Sequence, residues 1–342
     1  FINIPFGIIS MIASKLWIED PPYAKKQGPQ KIDILGFGFL IIWLVTLQTV
    51  LDKGNNADWF NASWICWLMA ISIISMICFI ISQLKNKESI INLNVFKNRN
   101  FACGTLILVV VNGVMYASTA IMPLYLQNLL GYTAFLSGYA LMPRGIGAIA
   151  GTVLYGFLSN IFDERLLGAL GLLAFGIAGI MFGLLSLQIS MINIIIPNLI
   201  FGFGTSLAIV PFTTLSMSTL NNEQMTNATG ILNLLKNIGG AVGTSAVTTM
   251  LSRYGQMHQS SMVKYLNPLN PAFQAKVDAT TAALAQYMHI SMATTKANYL
   301  MYTQLLQQSS LWAFIDAFRI FGLLALIIIP FAFLIEKKKK CQ

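Results

Sequence analysis

Long apolar runs alternate with short polar breaks along almost the whole chain. Nine such runs cover residues 1–17, 34–51, 62–84, 101–130, 133–158, 166–187, 191–219, 227–251 and 310–335. A bilayer core takes about 20 apolar residues as helix, and most of the runs reach that length. Hydrocarbon offers no hydrogen-bond partner, so a spanning segment must satisfy its backbone as a helix or a closed barrel. Barrel strands alternate in residue character over segments of about ten residues, whereas these runs are continuous. The pattern predicts an all-α fold, a polytopic transmembrane helical bundle.

The breaks divide the bundle. Residues 18–33 hold Pro21-Pro22, Gly28-Pro29 and several lysines, a mixture that ends helices and starts loops. Two runs then form a hairpin, 34–84, around the polar turn at Asp52-Lys53-Gly54. A second basic linker, 85–100, separates it from six further runs within 101–253 and 310–335. These fall into two triplets, each with a cation in its second run, Arg144 and Lys236. Paired triplets of this kind build many transporter halves. Residues 254–309 interrupt the scheme. There Phe273, Val277, Thr280, Leu284 and Tyr287 recur at spacings of three and four, which predicts a folded helical extension outside the bilayer.

Composition sharpens this reading. The chain is 56% hydrophobic and 10% charged, with a mean hydropathy of +0.68; soluble domains carry about 25% charged residues. The net charge of +9 reads as topology, not as a nucleic-acid surface. With the residue-1 end outside, one side holds Lys15, Lys25, Lys26, Lys31, Lys85, Lys87, Lys97, Arg99, Arg165 and Lys337–Lys340. The other side holds Lys53, Arg253, Lys264, Lys276 and Lys296. The positive-inside rule then places the C-terminus (336–342) in the cytoplasm. Cys66, Cys78 and Cys103 lie in apolar runs as small hydrophobes, and Cys341 follows the terminal lysines. The chain opens on Phe1, in the middle of an apolar run without a basic flank. That reads as the outer end of a helix with upstream neighbours, not as a signal peptide.

Charge inside lipid is costly and marks function by default. Lys236 lies deep in its run, flanked by Asn233 and Asn237, with Gly239, Gly240 and Gly243 following. It either lines a wet cavity or anchors a neighbouring helix. Arg144 follows Pro143 and precedes Gly145, Gly147 and Gly151; it holds an anionic group or fixes a helix pair. Asn112, Tyr116, Ser118, Gln127, Asn198 and Thr205 are further cavity candidates, or polar glue between helices. The glycines at 147, 151, 239, 240 and 243 let helices approach closely, and Gly176, Gly179 and Gly183 form another packing stripe. Asp316 and Arg319, three apart, are expected to form a local ion pair. His258 and His289 have no metal-ligand spacing, and no G-x-x-x-x-G-K phosphate loop occurs in the sequence. The chain reads as neither an ATPase nor any other enzyme, with no metal and no cofactor.

Several motifs together resemble the fourteen-helix drug:proton antiporters of the major facilitator superfamily, the EmrB/QacA group. They are Phe1-Ile-Asn3-Ile-Pro5-Phe-Gly7, Asn94-Val-Phe96-Lys97-Asn-Arg99, Leu141-Met-Pro143-Arg144-Gly145 and Asn233-Leu-Leu-Lys236-Asn-Ile-Gly239-Gly240. The long segment with Asn267-Pro268-Leu-Asn270-Pro271 resembles the EmrB branch. That family commonly has arginine where this chain has Lys236. Gly156–Arg165 resembles a degenerate gating loop of the superfamily, with Asn160 in place of its acid. The resemblance implies the C-terminal transporter half plus an inserted hairpin, in the bacterial inner membrane. It implies export of lipophilic or amphipathic small molecules driven by protons, with proton-carrying acids upstream of this sequence. It also implies a periplasmic adaptor and an outer-membrane channel as partners. Alternative readings are a nutrient or siderophore transporter on the same fold, or a non-transporting assembly subunit. A lipid-modifying membrane enzyme would need clustered acids or histidines, and the sequence has none.

Overall fold

The computed structural model describes residues 3–17, 33–85 and 92–336. Most of the first linker, residues 86–91 of the second, and the basic tail Lys337–Lys340 with Cys341 lie outside the described residues. The described chain forms α1 (Asn3–Trp17), α2 (Ile34–Lys53), α3 (Ser63–Lys85), α4 (Arg99–Leu124), α5 (Ala134–Leu158) and α6 (Glu164–Phe182). It continues through α7 (Ile192–Met217), α8 (Asn222–Val263), α9 (Pro271–Ala285), α10 (Ile290–Ile327) and α11 (Ile329–Phe333). Side-chain caps start several of these helices, as orphan backbone N–H groups require. Asn98 accepts from the Asn100 and Phe101 amides, and Asp163 from that of Arg165. Thr133 accepts from Leu136. Asn270 caps α9, where Pro271 presets the first turn.

Among the described residues, seven helices are long and apolar enough to cross a membrane: α2, α3, α4 with its π turn, α5, α6, α7 and α10 running into α11. The protein is an integral membrane protein. α8 does not meet that measure, although residues 227–251 read as a span. Asn233, Lys236 and Asn237 dilute its hydropathy. It packs between α4 and α10, while Asn233 and Asn237 stay on its exposed side. α8 and α10 also run well beyond the expected limits. Their extensions and α9 build the segment after residue 254, where the half-buried face of α9 is Phe273, Val277, Thr280 and Leu284.

The core joins α4, α6, α7, α8 and α10. Phe175, Phe182, Phe201 and Phe318 stack across α6, α7 and α10, with ring centroids 4.5 to 6.0 Å apart. The hairpin α2–α3 sits at the side. Asp33 at the start of α2 accepts from Gln83 near the end of α3 at 2.9 Å, which ties the two helices together. The hairpin meets the bundle where the Ser245 hydroxyl donates to the Leu51 carbonyl. The exposed Arg253–Asp58 ion pair, 2.8 Å, is a second tie. At the other end Arg165 pairs with Asp163 at 2.9 Å and donates to the Ile335 carbonyl. Asn100 exchanges two hydrogen bonds with the backbone of Glu336. The loop that resembles a gating motif thus closes onto the end of α11.

Small residues set the helix spacing. A Cβ on Gly243 of α8 would land on the Gly113 carbonyl of α4, and one on Gly239 would lie 2.6 Å from the Val109 carbonyl. Gly240 faces the Tyr116 ring. Gly147 and Gly151 of α5 lie against the Leu199 and Phe203 carbonyls of α7, and Gly179 of α6 lies against Gly322 of α10. Gly230, by contrast, has open space beside it. Gly243→Val is therefore expected to force α4 from α8 and destabilise the fold by about 1–3 kcal/mol. Gly230→Ala should leave stability unchanged or raise it slightly. Thermal unfolding and gel filtration in detergent check both; equal behaviour of the two variants would refute the seam.

Candidate functional site

Arg144 is the most highly connected polar side chain of the bundle interior. It projects from α5, and its guanidinium reaches two other helices. Nε donates to Asn198 Oδ1 of α7 at 3.2 Å. Nη1 donates to the Thr119 hydroxyl and Nη2 to the Ser118 hydroxyl of α4, at 3.1 and 3.0 Å. The Phe201 ring of α7 lies beneath it, 4.2 Å from Cζ to the ring centroid, a cation–π contact. Among the described residues no carboxylate joins this set, and neutral dipoles hold the charge. Asn198 is fully buried and donates its amide N–H to the Ile194 carbonyl at 2.9 Å. That bond aims Oδ1 at the arginine.

The packing of α5 on α7 is what brings the arginine there. A Cβ on Gly202 would collide with the Arg144 backbone carbonyl, so the two backbones touch at this level. Beside the arginine opens a cavity of about 500 Å³ lined by Met115, Leu141, Met142, Arg144, Phe201 and Thr205, among others. Its walls are apolar apart from Arg144 and the Thr205 hydroxyl, and the Thr205 hydroxyl is spent on the Phe201 carbonyl at 2.6 Å. The site therefore presents one fixed cation beside an adaptable, methionine-bearing wall. Such a wall repacks around ligands of varied shape.

The structure sorts the remaining candidates. Arg144 and Thr205 line this cavity, and the buried Asn198 and Ser118 hold the arginine from behind. Asn112 is buried and donates to the Leu108 carbonyl of its own helix at 2.8 Å; it does not line the Arg144 cavity. Tyr116 is exposed and rests on Gly240. Gln127 lies exposed in the π turn Tyr125–Leu129. Lys236 is half-buried on α8 and makes no hydrogen bond or ion pair among the described residues. It does not line the Arg144 cavity. Asn233 and Asn237 are exposed, and Asn237 lines a separate groove of about 460 Å³ between α2 and α8. The two cations thus lie on opposite flanks of α4, which gives Ser118 and Thr119 to one and packs Tyr116 over Gly240, one turn from the other.

Thr119 and Phe201 escape a reading of the sequence. Their only signal is register: Thr119 follows Tyr116, and Phe201 follows Asn198, each by three residues. The expected Asp316–Arg319 pair is a correction. Asp316 instead lies 2.7 Å from Nε2 of His258 on α8, and the ring N–H donates to the carboxylate. Arg319 turns toward Trp312, 6.0 Å from Cζ to the ring, with its stem over Gly183. Spacing along one helix permits the intrahelical pair, but the packing of α8 on α10 supplies a nearer partner. Among the described residues no three His, Cys, Asp or Glu side chains gather into a metal site.

Arg144→Lys keeps the charge but replaces a planar fork by a single ammonium. It is expected to lose at least two of the contacts and to lower stability by about 2 kcal/mol, read by thermal unfolding in detergent. A double-mutant cycle of His258→Ala with Asp316→Ala should show coupling of roughly 0.5–1 kcal/mol, since the pair is partly exposed. The cycle of Arg319→Ala with Asp316→Ala should show less.

Residues 1–244 match the sequence model of the Major Facilitator Superfamily. The Escherichia coli (strain K12) protein called "Probable multidrug resistance protein EmrY" is 30% identical over 275 residues, 80% of this chain and 53% of the relative. The multidrug export protein EmrB of the same organism is 27% identical over 285 residues, 80% of this chain and 54% of the relative. The crystal structure of a bacterial homologue of the human lysosomal transporter Spinster, inward-facing and occupied, aligns with a TM-score of 0.47 at 19% identity. That alignment covers 87% of this chain and 64% of the other. The chain spans about half the length of the curated relatives it matches. With its residues 1–244 matched to that family and its helices packed around an arginine-lined cavity, the chain belongs to the major facilitator superfamily.

Proposed function

We propose that the chain forms the C-terminal portion of a proton-coupled exporter of lipophilic or amphipathic toxicants. The observation that carries the reading is the Arg144 cavity, one fixed guanidinium facing a wall of methionine, leucine and phenylalanine. A wall of that kind accepts many apolar shapes, and a single cation orients polar or anionic groups on them. The names of the relatives, multidrug resistance and multidrug export proteins, agree with such a ligand range. No cofactor enters the scheme; the proton gradient supplies the energy. Two helix bundles rock about a midplane cavity, and Lys236 tunes the far flank of α4.

In this reading the membrane is the bacterial inner membrane. The positive-inside bias puts the C-terminus in the cytoplasm and the α8–α9–α10 extension in the periplasm. That extension is the docking element for an adaptor protein leading to an outer-membrane channel. Its length beyond the apolar part of α10 supports this assignment.

The full reading frame containing this chain, expressed in cells stripped of their own exporters, should lower accumulation of a lipophilic dye. The effect should vanish when an ionophore collapses the proton gradient. Unchanged accumulation would overturn the proposal. Lys236→Ala should cut export several-fold at equal membrane abundance; parallel loss of both would assign the lysine to assembly. Co-purification of an adaptor with the wild type, lost on deleting residues 257–305, checks the partner.

A further inference from the structure

The strongest unassigned feature is the pair His258–Asp316. Among the described residues, Asp316 lies within α10, whereas Asp52, Asp163 and Glu164 stand at helix ends. Its carboxylate lies 2.7 Å from the His258 ring nitrogen, across the α8–α10 contact. The two side chains are 21% and 26% exposed, so they are partly enclosed. Trp312 of α10 lies beside the imidazole, 6.2 Å between ring centroids. Arg319, three residues from Asp316, lies 6.0 Å from the Trp312 ring and forms no ion pair among the described residues.

We propose that His258–Asp316 is a proton-exchanging site and that Asp316 trades partners between His258 and Arg319. With His258 protonated, imidazolium and carboxylate neutralise each other and clamp α8 to α10. When His258 releases its proton to water, the clamp loses its charge component. The carboxylate then turns to the guanidinium three residues along its own helix, a spacing that brings side chains together. The one bond that breaks is the imidazolium N–H, whose proton passes to a water oxygen; no bond between heavy atoms changes. The intrahelical pair expected from sequence and the interhelical pair of the structure are the two states of one switch.

The surroundings leave few competitors. On α8, Tyr254 stands one turn before His258, and Arg253 is engaged with Asp58 at 2.8 Å. On α10, Tyr302 receives a hydrogen bond from Gln259 at 3.1 Å. Tyr125, from the π turn that packs on Phe314, donates to the Ser186 carbonyl. α9 offers Lys276, which donates to Gln304, and Asp278. The charges of α4 and α6 are Arg99, Glu164 and Arg165, at their opposite ends. Arg319, three residues along, is the charge nearest to Asp316 in the sequence of α10. α8 runs unbroken from His258 back to Lys236, 22 residues or about 33 Å. A change at the pair therefore reaches the polar patch of α8 through one rigid element.

The coupling role rests on the export reading above; proton binding does not, so two measurements separate them. Protonated imidazole quenches the fluorescence of an adjacent indole, and Trp312 is a native reporter. The purified full chain in detergent should show a fluorescence step as the pH is varied. His258→Gln and Trp312→Phe should each abolish the step. Asp316→Asn, which removes the partner of the imidazolium, should move the step to lower pH. Arg319→Gln, which removes the competing cation, should move it to higher pH. Gel filtration controls for folding. A step that survives His258→Gln, or that shifts in the same direction in both variants, overturns the site. In cells, His258→Gln in the full reading frame should flatten the pH profile of export; an unchanged profile overturns the coupling role. If the wild type exports nothing, the functional reading fails and the fluorescence step still decides the site.

Discussion

Everything in this fold depends on how closely its helices can approach. Lipid removes the hydrophobic drive between spans, so dispersion, hydrogen bonds and backbone proximity must hold them together. The chain answers with backbone-to-glycine seams at Gly113–Gly243, Gly147–Leu199, Gly202–Arg144 and Gly179–Gly322. At each seam the missing side chain lets two backbones touch. Bulky residues then fill the space beside the seams, as the phenylalanine stack of α6, α7 and α10 does.

The same proximity makes the buried chemistry possible. Arg144 reaches two helices because α5 lies against α7 with almost no gap. Its charge is spread over an amide, two hydroxyls and an aromatic face. A carboxylate partner would have cancelled that charge. Dipoles leave it oriented and still able to attract a ligand, at the edge of a cavity that is otherwise apolar. Lys236 has no such cradle. It lies on another helix flank, beside a groove formed with the hairpin through Asn237. Two cations that look alike in sequence therefore stand in different settings.

Polarity is also graded along the long helices. α8 and α10 pass from the packed bundle into a polar extension without a break, and the His258–Asp316 contact marks the boundary. Farther out, contacts are exposed and amide-based, such as Gln259 to Tyr302 and Lys276 to Gln304. Continuous helices couple the two regions mechanically, because a helix transmits rotation better than a loop.

Much was legible in the residues alone. Apolar run lengths fixed the helical, membrane-embedded class, since a backbone in hydrocarbon has few ways to satisfy itself. Motif spacing pointed to the superfamily, and glycine spacing marked the packing faces. The limits of α8 and α10 were not legible, because polar residues continue a helix as readily as apolar ones once a neighbour supports it. Partner choice was hidden for a different reason. Spacing shows which residues of one helix are neighbours, and on that ground Asp316 and Arg319 belong together. Only the packing of α8 on α10 brings His258, 58 positions away, within hydrogen-bond distance of Asp316. Likewise only the α5–α7 seam delivers Arg144 to Asn198 and Phe201. Local pattern reports the backbone and its solvent; which charge meets which dipole is decided by contacts between segments far apart in the chain.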